Sequence, residues 1–151
     1  MASNEHVLLL VDDEPVNLMM LKHALHGQFN VRTASSGTEA LEILKGEAVS
    51  LLITDQRMPG MTGTELLRQS RKLYPEIICL LLTAEKDVDT LISAIAESGA
   101  MRVINKPWNP EEIVLSIEAA LEQYENMRKK KQVMDQLTRA NQVLNRIVKN
   151  Q

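Results

Sequence analysis

Rings are almost missing from this chain: one Phe, one Trp and two Tyr stand among 151 residues, 3% of the total. A core built without them must be aliphatic, and 44% hydrophobic content is enough to fill one. There is one cysteine, Cys79, inside the apolar run Ile77-Ile78-Cys79-Leu80-Leu81-Leu82. A lone thiol excludes an internal disulfide and fits a reducing compartment, and in an apolar run it reads as core filler rather than as a reactive group. No stretch approaches the roughly 20 apolar residues of a membrane span. The first residues lack the basic-then-apolar plan of a secretory signal. A soluble cytoplasmic protein is the expectation, one domain with an appendage.

Charge is unevenly spread. Residues 1–121 hold 10 Lys and Arg against 17 Asp and Glu, a balance of −7; residues 122–151 hold 7 against 3, a balance of +4. The break predicts a globular region over 1–122 and a different element over 123–151.

Apolar runs of strand length fall at 6–11, 30–34, 49–54, 77–82 and 102–105. Most are rich in Leu, Ile and Val with few polar residues, as parallel strands buried on both faces require. Helical spacing lies between them, at Leu18, Met19, Leu21, Lys22 and Leu25, at Ala40, Leu41, Ile43 and Leu44, at Leu66, Leu67 and Leu73, and at Leu91, Ile92, Ile95 and Ala96. Ser36 and Glu39 have capping-box spacing, and Gly27, Gly46 and Gly99 sit where helices should stop. Five such repeats predict a three-layer α/β/α sandwich around one five-stranded parallel sheet. Right-handed crossovers then gather the C-terminal ends of all strands on one edge.

That edge is where the chemistry falls. The first strand ends in Asp12-Asp13-Glu14, the third in Asp55, the fourth in Thr83, and the fifth in Lys106. Singly, each is a plausible turn residue, helix cap or exposed charge. Jointly they bring acids, a hydroxyl and an ammonium to the place where open α/β sheets bind ligands. Crowded carboxylates repel one another, and a hard divalent cation relieves them.

The blocks Val11-Asp12-Asp13-Glu14-Pro15, Thr54-Asp55-Gln56-Arg57-Met58-Pro59-Gly60-Met61-Thr62-Gly63, Leu82-Thr83-Ala84 and Lys106-Pro107-Trp108 together resemble the signature of bacterial response-regulator receiver domains. The resemblance runs from residue 5 to about 122, in order and at the expected intervals. It implies a flavodoxin-like (CheY-like) fold and a phosphoryl group accepted on Asp55 from a histidine kinase or phosphotransfer protein. It implies Mg²⁺ held by Asp13, Asp55 and the backbone carbonyl of Arg57, with Asp12 acting close by or through water. Thr83 and Lys106 would take the phosphoryl oxygens, Ala84 would leave room for the donor, and Pro107 would follow a cis peptide. The resemblance has one gap. Where the family often carries an aromatic switch residue, three before the lysine, this chain has Val103. Arg57 and Glu85 would flank the phosphosite and could pair across its entrance. Within the family, the blocks around Asp55 and Lys106 resemble receivers fused to HD-type cyclic di-GMP phosphodiesterases and related outputs.

Three other readings have less support. An unphosphorylated dimerising adaptor would not need the acids and Lys106. A flavodoxin-like cofactor binder would want a glycine- or hydroxyl-rich loop after the first strand. A hydrolase with Asp55 as nucleophile would want a second acid two residues later, where Arg57 stands.

The last helix should open at Asn109, with Pro110 in its first turn, and no breaker follows. Roughly 40 helical residues would reach about 60 Å, beyond one domain. Apolar positions 113, 117, 120, 124 and 127 alternate steps of four and three. After Arg128-Lys129-Lys130-Lys131 the pattern resumes at 134, 137, 144 and 148, with Asn141 in the seam. This is coiled-coil-like and predicts a homodimer through the C-terminal helix. Four basic residues without aromatic neighbours are a poor nucleic-acid site.

Overall fold

A computed structural model describes residues 6–25, 27–84, 96 and 102–150. Five strands run in parallel: β1 (Val7–Val11), β2 (Asn30–Ala34), β3 (Leu51–Asp55), β4 (Ile78–Thr83) and β5 (Arg102–Asn105), in the spatial order β2-β1-β3-β4-β5. The helices are α1 (Pro15–Ala24), α2 (Gly37–Gly46), α3 (Gly63–Leu73) and α4 (Pro110–Lys149). The expected helix around residues 91–96 and the stop at Gly99 lie outside the described residues, apart from Ala96 itself.

The continuous apolar runs are explained by burial on both faces. Every residue of β3 and β4 is buried. Alternate residues feed two cores: Leu8, Leu10, Leu51, Ile53, Leu80 and Leu82 pack toward α1 and α4, while Leu9, Val11, Leu52, Cys79 and Leu81 pack toward α2 and α3. Cys79 is core filler as the sequence predicts, and burial pushes its thiol up to about 12.

The helix ends follow side-chain chemistry. Asn109 Oδ1 accepts the Glu111 N–H at 2.9 Å, with Pro110 at the first helical position. Ser36 Oγ accepts from Glu39 N at 3.1 Å, but the return half of the expected capping box is shifted by one residue. The Glu39 carboxylate binds Ser35, at its backbone N (3.1 Å) and hydroxyl (2.7 Å), because Ser35 offers two donors there. The full capping box is at Thr62 and Glu65, opening α3. Two expected core residues point outward: Met19 is 69% exposed and Leu73 60% exposed.

The long helix is present at its expected length, 40 residues, but its apolar pattern divides differently. Ile113, Ile117 and Ala120 are fully buried against the chain's own sheet, and Tyr124 packs there in part. They belong to the domain core and are not the start of a coiled-coil seam. Past Leu121 no residue of α4 is buried. The junction is pinned at the N-terminal edge of the sheet. His6 is buried between Ser50 Oγ and Glu125 Oε1, each at 2.9 Å, with its ring perpendicular to that of Tyr124, and Lys131 pairs with Glu76.

Gly63 is where the backbone runs tightest. A Cβ there would press into the Asp55 carbonyl oxygen and come within 2.9 Å of Leu81 Cδ1. Gly63→Ala should therefore destabilise by about 1–3 kcal/mol, the range for overpacking, read as a lower urea midpoint. Gly46→Ala, with nothing within 4 Å of the new methyl, should stabilise slightly. Equal midpoints for the two variants would contradict the close approach at Asp55.

Candidate functional site

The sheet order places the acids. β1 and β3 are neighbours, with Val11 opposite Thr54, so the residues that follow them meet at one point. The chain leaves β1 for β2 on one side and enters β3 on the other, which opens a crevice at the strand ends. One carboxylate oxygen each from Asp12, Asp13 and Asp55 lie within 4.8 Å of one another. β4 and β5 complete the edge. Thr83 pairs with Asn105, and the Lys106 N–H donates to the Thr83 carbonyl at 2.9 Å. That bond ties the backbone of the cation to the strand that carries the hydroxyl.

The structure brings five of the predicted residues together. Asp12 and Thr83 are 1% exposed and Asp55 6%, while Asp13 and Lys106 are half-buried. Lys106 Nζ lies 2.5 Å from Asp55 Oδ1. In so dry a place this pair is costly to form, and breaking one half leaves an uncompensated charge. The Lys106–Pro107 peptide is cis, as the resemblance implies.

Asp12 is the least comfortable of the three acids. Burial, the largest influence, raises its carboxyl above the usual range, and the neighbouring Asp55 charge adds to this. The Glu14 N–H (3.0 Å to Oδ1), Lys106 and Asn17 offset part of the rise. Its second oxygen, Oδ2, is buried without a hydrogen-bond partner. A buried, unpartnered carboxylate oxygen beside two further carboxylates is a donor set that fits a divalent cation and its water.

The loop after Asp55 is tied on both sides. Gln56, to which the sequence blocks give no role, holds the start of α3 with its side chain. Oε1 accepts the Thr64 N–H at 2.9 Å, Nε2 donates to Thr64 Oγ1 at 3.3 Å, and the Gln56 carbonyl accepts the Gly63 N–H at 3.0 Å. Gly60 turns the loop with φ +79°. Between these ties stands Arg57, its side chain exposed. The spacing of Thr62 and Glu65 is a visible signal for the α3 cap; nothing in the sequence distinguishes Gln56. Ala84 is exposed beside Thr83, and Val103 is half-buried against the α2–α3 core. Glu85, the expected partner of Arg57, lies outside the described residues.

Comparison with known proteins gives one answer. Residues 8–118 match the model of the response regulator receiver domain. The hydrogenase transcriptional regulatory protein HoxA of Cupriavidus necator is 35% identical over 122 residues, covering 81% of this chain and 25% of that protein. The DNA-binding transcriptional regulator NtrC of Escherichia coli is 32% identical over 128 residues, covering 84% of this chain and 27% of that protein. The chain thus spans about a quarter of the length of these curated relatives. Among solved structures, a signal receiver domain of an HD domain-containing protein from Pseudomonas fluorescens superposes with a TM-score of 0.76 at 32% identity, covering 80% of this chain and 98% of that one. A structure described as adenylate cyclase from Rhodopirellula baltica gives 0.81 at 38% identity, covering 87% and 98%. The acids, hydroxyl and lysine gathered at one sheet edge accord with this match, and the chain belongs to the response regulator receiver family of two-component signalling.

Proposed function

We propose that this chain accepts a phosphoryl group on Asp55 from a phosphohistidine of a histidine kinase or phosphotransfer protein, and changes conformation in response. The observation that carries the reading is the Lys106–Asp55 contact inside a cluster of three carboxylates. Receiver domains are signalling phosphoacceptors that pair with such donors, and homologues carry output domains. We read residues 1–122 as the receiver and 123–151 as a helical extension. The family match ends at 118 and the last buried residue of α4 is Leu121, which supports that division.

The chemistry follows from charge. Carboxylate is a weak nucleophile and a phosphoryl group is anionic, so attack needs local positive charge. Lys106 holds one oxygen of Asp55 and fixes the carboxylate in place. The other oxygen attacks phosphorus, the P–N bond of the donor breaks, and the imidazole nitrogen keeps the electron pair. Lys106 and Thr83 then take phosphoryl oxygens. Asp12, Asp13, Asp55 and the carbonyl of Arg57 would hold Mg²⁺. When bound, the ion supplies charge that screens the phosphoryl oxygens from the carboxylates. The chain assists its own phosphorylation and dephosphorylation by this positioning and turns over no separate substrate.

With Val103 in place of an aromatic residue, movement of Thr83 toward a phosphoryl group should produce a shorter displacement than a ring swing. Arg57 and Glu85 are proposed to gate water at the entrance. A second copy is proposed to pair through the C-terminal helix. Among the described residues no helix is long and apolar enough to cross a membrane, which is compatible with the cytoplasmic setting proposed here.

Two outcomes follow. With acetyl phosphate and Mg²⁺, intact mass should rise by one phosphate; Asp55→Asn should stay unmodified, and Lys106→Ala should be phosphorylated far more slowly. A phosphate gained by Asp55→Asn would remove the assignment. The second concerns Asp12, whose carboxyl is raised in the folded state. Without metal, its ionisation opposes folding; that cost is absent below about pH 4, the unfolded value, grows as pH rises from there to the raised folded value, and is constant above it. Asp12→Asn should therefore raise the thermal midpoint at pH 7 in a chelator, with the gain shrinking toward about pH 4. Mg²⁺ should stabilise the wild type more than the variant, which keeps Asp13 and Asp55. A variant less stable at pH 7 without metal, or equally stabilised by Mg²⁺, would contradict the fit.

A further inference from the structure

The extension beyond Leu121 carries an apolar surface of its own. Val133, Met134, Leu137, Leu144, Ile147 and Val148 are each more than half exposed. At about 100° per residue, all six fall on one half of the helix, centred on Leu137 and Leu144. The charged residues of the same stretch, Asp135, Arg139, Arg146 and Lys149, fall on the other half, together with one exposed apolar residue, Val143. So do Ile113, Ile117 and Ala120, through which α4 packs on its own sheet. The apolar half therefore faces away from the chain's own domain.

We propose that a second copy of this chain covers that surface in parallel and in register, and that the two helices part at Lys130. This rests on the self-pairing put forward above and adds its direction and its limit. The area is sufficient for a specific contact. Six side chains of roughly 100 Å² each, from both copies, bury about 1,200 Å², the lower end of stable interfaces. The direction follows from the seam. Met134, Asn141 and Val148 recur every seventh residue, with Leu137 and Leu144 between them at steps of three and four. Leu at one seam position, with a β-branched residue and a single Asn at the other, is the pattern of parallel two-stranded coils. In that arrangement the two Asn141 amides meet and hydrogen-bond to each other, which fixes the register.

Charge sets the limit, together with the burial of the first turns of α4 in the domain core. Seven residues before Leu137 the seam position is Lys130, between Lys129 and Lys131 and beside Arg128. In a parallel pair the two Lys130 ammonium groups would face each other, and like charges at such range repel. Lys131 is drawn instead to Glu76 of its own domain. Further back, α4 packs on its own sheet through Ile113, Ile117 and Ala120, so its first turns are committed to the chain's own core. The pairing thus closes over 133–148 and opens into two arms, each ending in a receiver.

The test uses the full chain, where the only native thiol is the buried Cys79. Under mild oxidation, Met134→Cys should give a disulfide-linked dimer, and Arg139→Cys, on the outer half, should not. By sedimentation equilibrium, Lys130→Leu should tighten the dimer about tenfold, since it replaces a repulsion by apolar burial. Added salt should tighten the wild type, because it screens that repulsion. A dimer that does not cross-link through position 134 would overturn the parallel direction and leave self-pairing standing. Unchanged affinity in Lys130→Leu would overturn the fork. A monomer at high concentration would overturn self-pairing and this arrangement together, without touching the assignment of Asp55.

Discussion

Three carboxylates held within 4.8 Å at a largely buried edge are a standing repulsion, and much of this chain is arranged to bear it. Lys106 answers part of it through Asp55 at 2.5 Å, and the Glu14 N–H answers part of it at Asp12. The remainder is left in place, as the raised Asp12 carboxyl and its unpartnered Oδ2 show. A site with uncompensated negative charge binds what brings positive charge. The proposed role uses that charge: a cation held by the acids would let an anionic phosphoryl group approach them. The fold provides the rigidity that keeps the acids together. Two strands buried along their whole length, β3 and β4, carry Asp55 and Thr83 at their ends, and the Gln56–Thr64 bonds lock the loop between β3 and α3.

Much of this was legible in the sequence because parallel strands buried on both faces leave an unmistakable mark. Runs such as Leu51-Leu52-Ile53 and Leu80-Leu81-Leu82 have no polar alternation, and each ends in a polar residue at the same edge. Asp12, Asp13, Asp55, Thr83 and Lys106 could be placed together on topology alone. Other features depended on partners that spacing does not reveal. Glu39 has the right interval to close a box with Ser36, yet Ser35 offers two donors and takes it. Met19 fits a helical stripe but falls on the exposed side of α1. Gln56 acts through Thr64, eight residues away, and no local pattern announces that.

The long helix shows how one periodicity can serve two surfaces. The alternation of threes and fours runs almost unbroken from Ile113 to Val148, and sequence alone joins it into a single seam. Burial separates it: the first part completes the domain core and the second is exposed on the opposite side. The basic turn 128–131 marks the change. The junction is secured at the far end of the sheet from the acids, where His6, Ser50 and Glu76 precede β1, β3 and β4. The three strands that lead to Asp12, Asp55 and Thr83 thus begin at the clamp on the helix, so the acidic cluster and the extension share the same strands as support.

The central claim is that Asp55, and neither of its two acidic neighbours, forms the acyl phosphate. The most direct measurement is chemical trapping: phosphorylate the protein with acetyl phosphate and Mg²⁺, reduce it with sodium borohydride, and map the product by peptide mass spectrometry. Reduction converts a phosphorylated aspartyl side chain to homoserine. The account predicts homoserine at position 55 alone. Homoserine at position 12 or 13, or a phosphate that survives reduction on another kind of side chain, would contradict it.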